Sequence, residues 1–219
     1  RGDYVAAKER CEKDIALHPQ APAIVNCRAL IQSILEKELQ LDIEQSVRPD
    51  APFILSTVFR NLREVNFRIV AFPNAEYGKD WTGYRSEESR EDWMRSMLHR
   101  PAVHSWTASL PTITDYKQHR VDMRAPGLEL GTDLVAASAD KDFSTKGNAI
   151  VYAWLQVSRL SLQAQERDGD WSLWVNDAVD GRPLKGVKAD MFSMEWGRNG
   201  HEAVFQGASK TDANGHFFL

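Results

Sequence analysis

The chain carries only two cysteines in 219 residues, Cys11 and Cys27, so nothing after residue 27 can be held by a disulfide. Basic residues are also outnumbered: 27 Lys and Arg against 31 Asp and Glu leave a formal net charge of −4, and no Lys/Arg run builds a stripe. Nucleic acid is therefore not an expected partner. No stretch approaches about 18 consecutive apolar residues, which excludes a membrane-spanning helix. Catalytic signatures are missing too: there is no G-x-S-x-G, no H-E-x-x-H, no Walker loop and no C-x-x-C. His18, His99, His104, His119, His201 and His216 are scattered, with no pair at ligand spacing on one element, so zinc is not expected. The acidic stretch "ERDGDWSLWVNDAVDG" lacks the Asp-x-Asp-x-Asp-Gly order of a calcium loop, and its Asp and Gly read as turn residues. The expectation is a chain that is not an enzyme and needs no cofactor, metal or small-molecule substrate.

What is present changes period along the chain. Residues 4–17 ("YVAAKERCEKDIAL") and 23–38 ("AIVNCRALIQSILEKE") place apolar residues at helical spacing around the two-proline break "HPQAP". Residues 1–38 therefore read as a helical hairpin, and the spacing from "GDYVAA" to "HPQAP" resembles a tetratricopeptide-type repeat. Cys11 and Cys27 lie symmetrically about Pro19, so an antiparallel hairpin brings them to one height. Two readings stand: a disulfide in an oxidising compartment, or two buried free thiols. The Arg-Gly-Asp tripeptide at 1–3 reads as chance. With no initiator Met and no signal-type apolar region, the start reads as helix interior, and the chain is expected to be a piece of a longer polypeptide.

Beyond Leu39 the period becomes 2. Candidate strands cover 39–47, 53–61, 65–72, 103–111, 117–125, 132–139 and 148–158, separated by turn clusters such as "RPDAP" and "APGLELG". Seven strands at this spacing predict a mainly β domain over 39–158, an antiparallel sandwich of the immunoglobulin or fibronectin III kind. One helical insertion interrupts it at about 86–99, with Trp93, Met94, Met97 and Leu98 on one face. That stripe reads first as core packing, with a partner-facing helix as the alternative. The stretch 73–86 is the longest expected loop. After Ser158 a second series opens without a linker: strands at 160–166, 171–178, 187–192, 203–210 and 217–219, with turns at "RDGD", "DGRPLKG", "GRNGH" and "DANG". It reads as a second sandwich over 159–219, truncated after five strands.

The succession "FRNLREVNFRIVAF", "MLHRPAVHSWTASLP", "YKQHRVDMRAPGLELGTDLVAAS", "AWLQVSRLSL", "NDAVDGRPLKGVKADMF" and "TDANGHFFL" resembles the bacterial α2-macroglobulin family. The resemblance runs from about residue 20 to the end and implies two macroglobulin-like domains. It also implies endopeptidase inhibition, in which a cleaved bait segment triggers collapse around the protease and a Cys-Gly-Glu-Gln thioester captures it. Cys11 is followed by Glu-Lys-Asp and Cys27 by Arg-Ala-Leu, so neither can form that thioester. The resemblance thus implies a scaffold segment of a periplasmic or cell-envelope inhibitor. Its partners would be other domains of the same polypeptide and, through them, proteases. A cell-surface adhesion module built of fibronectin-like sandwiches is the alternative, since fold does not decide function.

Overall fold

The computed structural model describes residues 2–72, 87–167, 170–197 and 200–218. The expected loop 73–86, Arg1 of the tripeptide, Leu219, and residues 168–169 and 198–199 of two expected turns lie outside them.

Two antiparallel helices come first, α1 (Tyr4–Leu17) and α2 (Ile24–Leu35). Asp3 starts α1 by accepting the Ala6 N–H at 3.0 Å, which satisfies one of the free donors at a helix N-terminus. The helix α2 stops at Leu35, three residues before its expected end, where Arg60 and Asn61, far along the chain, take up its last carbonyls. Asn61 donates to the carbonyls of Ile34 and Glu36 at 2.7 and 2.9 Å, and Arg60 donates to those of Ser33 and Glu36. Orphan C-terminal carbonyls are thereby satisfied from outside the helix.

The alternating residues from Glu38 onward build two sheets. One has three strands in the order β1-β3-β6, namely β1 (Glu38–Ile43), β3 (Phe53–Arg60) and β6 (His119–Ala125). The other has five, in the order β2-β8-β7-β4-β5: β2 (Ser46–Val47), β8 (Ile150–Val157), β7 (Gly131–Ser138), β4 (Glu64–Phe72) and β5 (His104–Ser109). Pairing is antiparallel except for β2 with β8. The expected single strand 39–47 is thus two, because the chain crosses between sheets at Glu44–Gln45. Leu55 and Phe59 of one sheet meet Val65, Phe67, Ile69, Val135, Ala137, Leu155 and Val157 of the other in a continuous core. Burying such side chains contributes about 1.5–3 kcal/mol each.

The five-stranded sheet is buried on both faces. Val70 and Phe72 of β4 and Leu134 and Ala136 of β7 point away from the sandwich, where α3 (Glu87–His99) covers them. This explains why β4 and β7 read as nearly continuous hydrophobic runs.

The second unit begins three residues after β8 ends. A three-stranded antiparallel sheet in the order β13-β10-β9 is formed by β9 (Leu160–Arg167), β10 (Asp170–Asp177) and β13 (His216–Phe218). A long hairpin pairs β11 (Lys188–Gly197) with β12 (Gly200–Lys210), bulged between Met191 and Phe192. Both turn signals work through aspartates. Asp177 accepts the Val179 N–H at 2.8 Å, and Asp212 accepts those of Asn214 and His216. Gly215 has φ of +71°, and a Cβ there would lie 2.4 Å from the Val175 carbonyl oxygen, so only glycine fits.

Candidate functional site

Inward alternation along β7 places Val135 and Ala137 in the core and, one step further, Asp133 at the open end of the sandwich. Asp133 pairs across the sheet with Ala71 and Leu155 and is 5% exposed. No described residue donates a hydrogen bond to its carboxylate. Burial pushes its pKa up to about 6, and the nearby His104 imidazole offsets part of that rise. The carboxylate lines a half-open cavity of about 580 Å³ with His104, Val103, Asp50 and the loop Gly127–Gly131. That loop crosses the turn at Asp50 so closely that a Cβ on Gly127 would lie 2.6 Å from the Asp50 carbonyl carbon, which again requires glycine. A carboxylate so placed can take up a proton near pH 6. Among the described residues no three His, Cys, Asp or Glu side chains gather as metal ligands.

Met94, Met97 and Leu98 on α3 are 5%, 1% and 5% exposed and pack on Val70, Phe72, Leu134 and Ala136. Trp93 is half-buried beside Trp154 and Tyr152, with ring centroids at 5.7 and 6.0 Å. The stripe Trp93, Met94, Met97 and Leu98 is therefore turned onto the chain's own sheet, and the partner-facing alternative loses its exposed face.

Cys11 is buried and Cys27 half-buried at the contact between α1 and α2; both are free thiols. Hydrogen bonding to the Cys27 thiol, followed by burial, pushes the Cys11 thiol up to about 11. The hairpin geometry thus brings together the two residues that symmetry about Pro19 singled out.

Two groupings escaped sequence reasoning. Asp133 sits in "TDLVAAS", where an acid at a strand start reads as a turn flank. On the outer face of the three-stranded sheet, Asp42, Ser56 and Asp122 stand in cross-strand register. Ser56 donates to Asp122, and Arg120 donates to Ser56, Asp42 and Asp122. The Ser56 and Arg120 donors hold the Asp122 carboxyl below the usual range. Period-2 polar residues in three strands were the available signal, but register is needed to see them meet.

The sequence matches no protein-family model and has no significant match among curated proteins. Solved structures do match. Native α2-macroglobulin from Escherichia coli, spanning domains MG0-NIE-MG1, superposes with a TM-score of 0.54 at 13% identity, covering 84% of this chain and 57% of that one. The fold is macroglobulin-like. A structure of the same protein spanning NIE-MG1 gives a TM-score of 0.49 at 11% identity, over 84% of this chain and 87% of that one. The chain thus spans a little over half the length of the first of these structures.

Proposed function

We propose that the chain is a non-catalytic scaffold segment of an α2-macroglobulin-like endopeptidase inhibitor. The carrying observation is the superposition on the E. coli MG0-NIE-MG1 structure across 84% of this chain. The junction supports it: β8 ends at Val157 and β9 begins at Leu160, so the two β units follow one another without a flexible spacer. A short, hydrogen-bonded junction suits a part that transmits position between domains rather than one that acts alone. Val47 accepts the Ser158 N–H at 2.9 Å, and Arg159 accepts that of Ala178 at 2.8 Å, which ties the junction to both units. In this reading the partners are other domains of the same polypeptide, with proteases engaged through the whole molecule, in the periplasm or at the cell envelope. No described helix is long and apolar enough to cross a membrane.

The test has two arms. Chain 1–219 is incubated with trypsin-, elastase- and subtilisin-like enzymes, and residual activity is read on a large protein substrate and a small peptide. Both activities should be unchanged. Differential loss on the large substrate would place an inhibitory site inside this chain and end the scaffold reading. The full-length parent polypeptide, treated in the same way, should block the large substrate and spare the small one. Equal activity on both in that arm would favour the adhesion reading.

A further inference from the structure

We infer that Cys11 and Cys27 form a dithiol that is oxidised to an intramolecular disulfide by exchange with a disulfide donor, with Cys27 as the entering thiol and Cys11 as the resolving one. The inference does not rest on the scaffold reading, because it uses only the helical hairpin.

Three observations carry it. The two thiols lie on the facing helices α1 and α2, close enough for Cys27 to act on the ionisation of Cys11. They belong to helices that end at Leu17 and begin again at Ile24, a connection of the length usual between antiparallel helix neighbours. The hairpin is fixed from outside as well, because Asn61 and Arg60 hold the end of α2, and within α1 the ion pairs Lys8–Glu12 and Arg10–Asp14 add i,i+4 support. A bridge between facing side chains of two packed helices then needs little backbone movement.

The asymmetry between the two thiols sets the order of events. Cys27 is half-buried and open to a donor, whereas Cys11 is 7% exposed. The Cys27 hydrogen bond, burial and the negative charge of Asp14 all hold the Cys11 proton on. Exchange proceeds through thiolates, so the more accessible group reacts first. The Cys27 thiolate attacks the donor disulfide, whose S–S bond breaks. One half of the donor is retained on Cys27, and the other leaves as a thiolate and takes a proton. Cys11, losing its proton to solvent base, then attacks the Cys27 sulfur, and the second donor half departs and is protonated. Two protein thiols are oxidised and one donor disulfide is reduced to two thiols. Cys11 is 7% exposed and attacks only as its thiolate, so the second step accelerates as pH rises.

The experiment uses the reduced full chain, oxidised glutathione as donor, acid quenching and intact-mass analysis. The wild-type chain should lose two hydrogens, retain no glutathionyl group, stay monomeric and have no alkylatable thiol in denaturant. The Cys11→Ala chain should stop at one stable glutathionyl adduct on Cys27. The Cys27→Ala chain should acquire its adduct on Cys11 at least about tenfold more slowly, as expected for a thiol that is only 7% exposed. If wild type keeps two free thiols, retains glutathionyl groups or forms a crosslinked dimer while Cys11→Ala is fully modified, the intramolecular bridge is refuted. Equal rates in the two single variants would overturn the order of attack.

Discussion

The two β units share one alternating pattern and differ in what covers it. In the first, residues 38–157, both faces of the five-stranded sheet are closed, one by the three-stranded sheet and one by α3. In the second, the inward face of the β9-β10-β13 sheet carries Leu160, Leu162, Leu173, Val175 and Phe217, since Leu162 pairs with Val175 and Phe217 with Leu173. Among the described residues, cover is found on its β10–β13 side, from Leu184, Val187 and Ala189. Leu160 and Leu162 remain 44% and 61% exposed, and on the hairpin Phe192 and Phe205 are each 57% exposed although their rings stack edge to face. Alternation therefore sets which residues share a face, and the presence of a second layer decides whether that face stabilises the fold.

Substitutions that empty the first core should have the largest effect. Leu155→Ala removes a side chain with 0% exposure at the centre of the sandwich and should cost about 2–5 kcal/mol in urea unfolding. A loss under 1 kcal/mol would mean that the two sheets are not closely packed there.

Gly215→Ala should follow. It forces an L side chain into a left-handed backbone and against the Val175 carbonyl, which also accepts the Leu184 N–H at 2.9 Å. The cost should be about 1–3 kcal/mol and confined to the second unit, seen as a separate early transition with β4 and β7 still protected. Loss of both units together would show that they fold as one.

Asp133→Asn should act in the opposite direction. With its folded pKa raised to about 6, Asp133 binds its proton more tightly in the native chain than in the unfolded one. Its contribution is favourable below the ordinary carboxylate pKa near 4 and is lost as pH rises through about 6. The amide should leave stability unchanged at pH 4 and raise it by about 1–2 kcal/mol at pH 7. A destabilised variant at pH 7 would indicate a partner for the carboxylate that this geometry does not contain. Smallest of all, Leu162→Ala should change stability by no more than about 0.5 kcal/mol, because the side chain already faces solvent.

Much of this comparison was legible in the sequence. The strand positions follow from period-2 runs bounded by Gly, Pro, Asp and Asn, and each of the expected strands overlaps an observed one. The helical hairpin followed from helical spacing on either side of a proline break, and Cys11 and Cys27 sit on its two helices as free thiols. What escaped depends on partners distant in sequence. "LQLDIEQSV" alternates without interruption, so nothing local marks the crossing between sheets at Glu44–Gln45; it is imposed by the parallel pairing of Val47 with Val157. The early end of α2 comes from Arg60 and Asn61, some 25 residues later. The α3 stripe could be placed on one helix face, yet only the outward residues of β4 and β7 show what that face covers. Asp133 was missed because a buried acid is recognised by its surroundings and not by its neighbours in the chain.

Amide hydrogen exchange on the intact chain tests the central contrast most directly. Amides of β4, β7 and β8 should exchange only through global unfolding, whereas those of β9, β10 and the β11–β12 hairpin should exchange at least about 100-fold faster through a smaller opening that leaves the first sandwich intact. Equal protection of β9–β10 and β4–β7 would contradict the division of the molecule into a closed and an open unit.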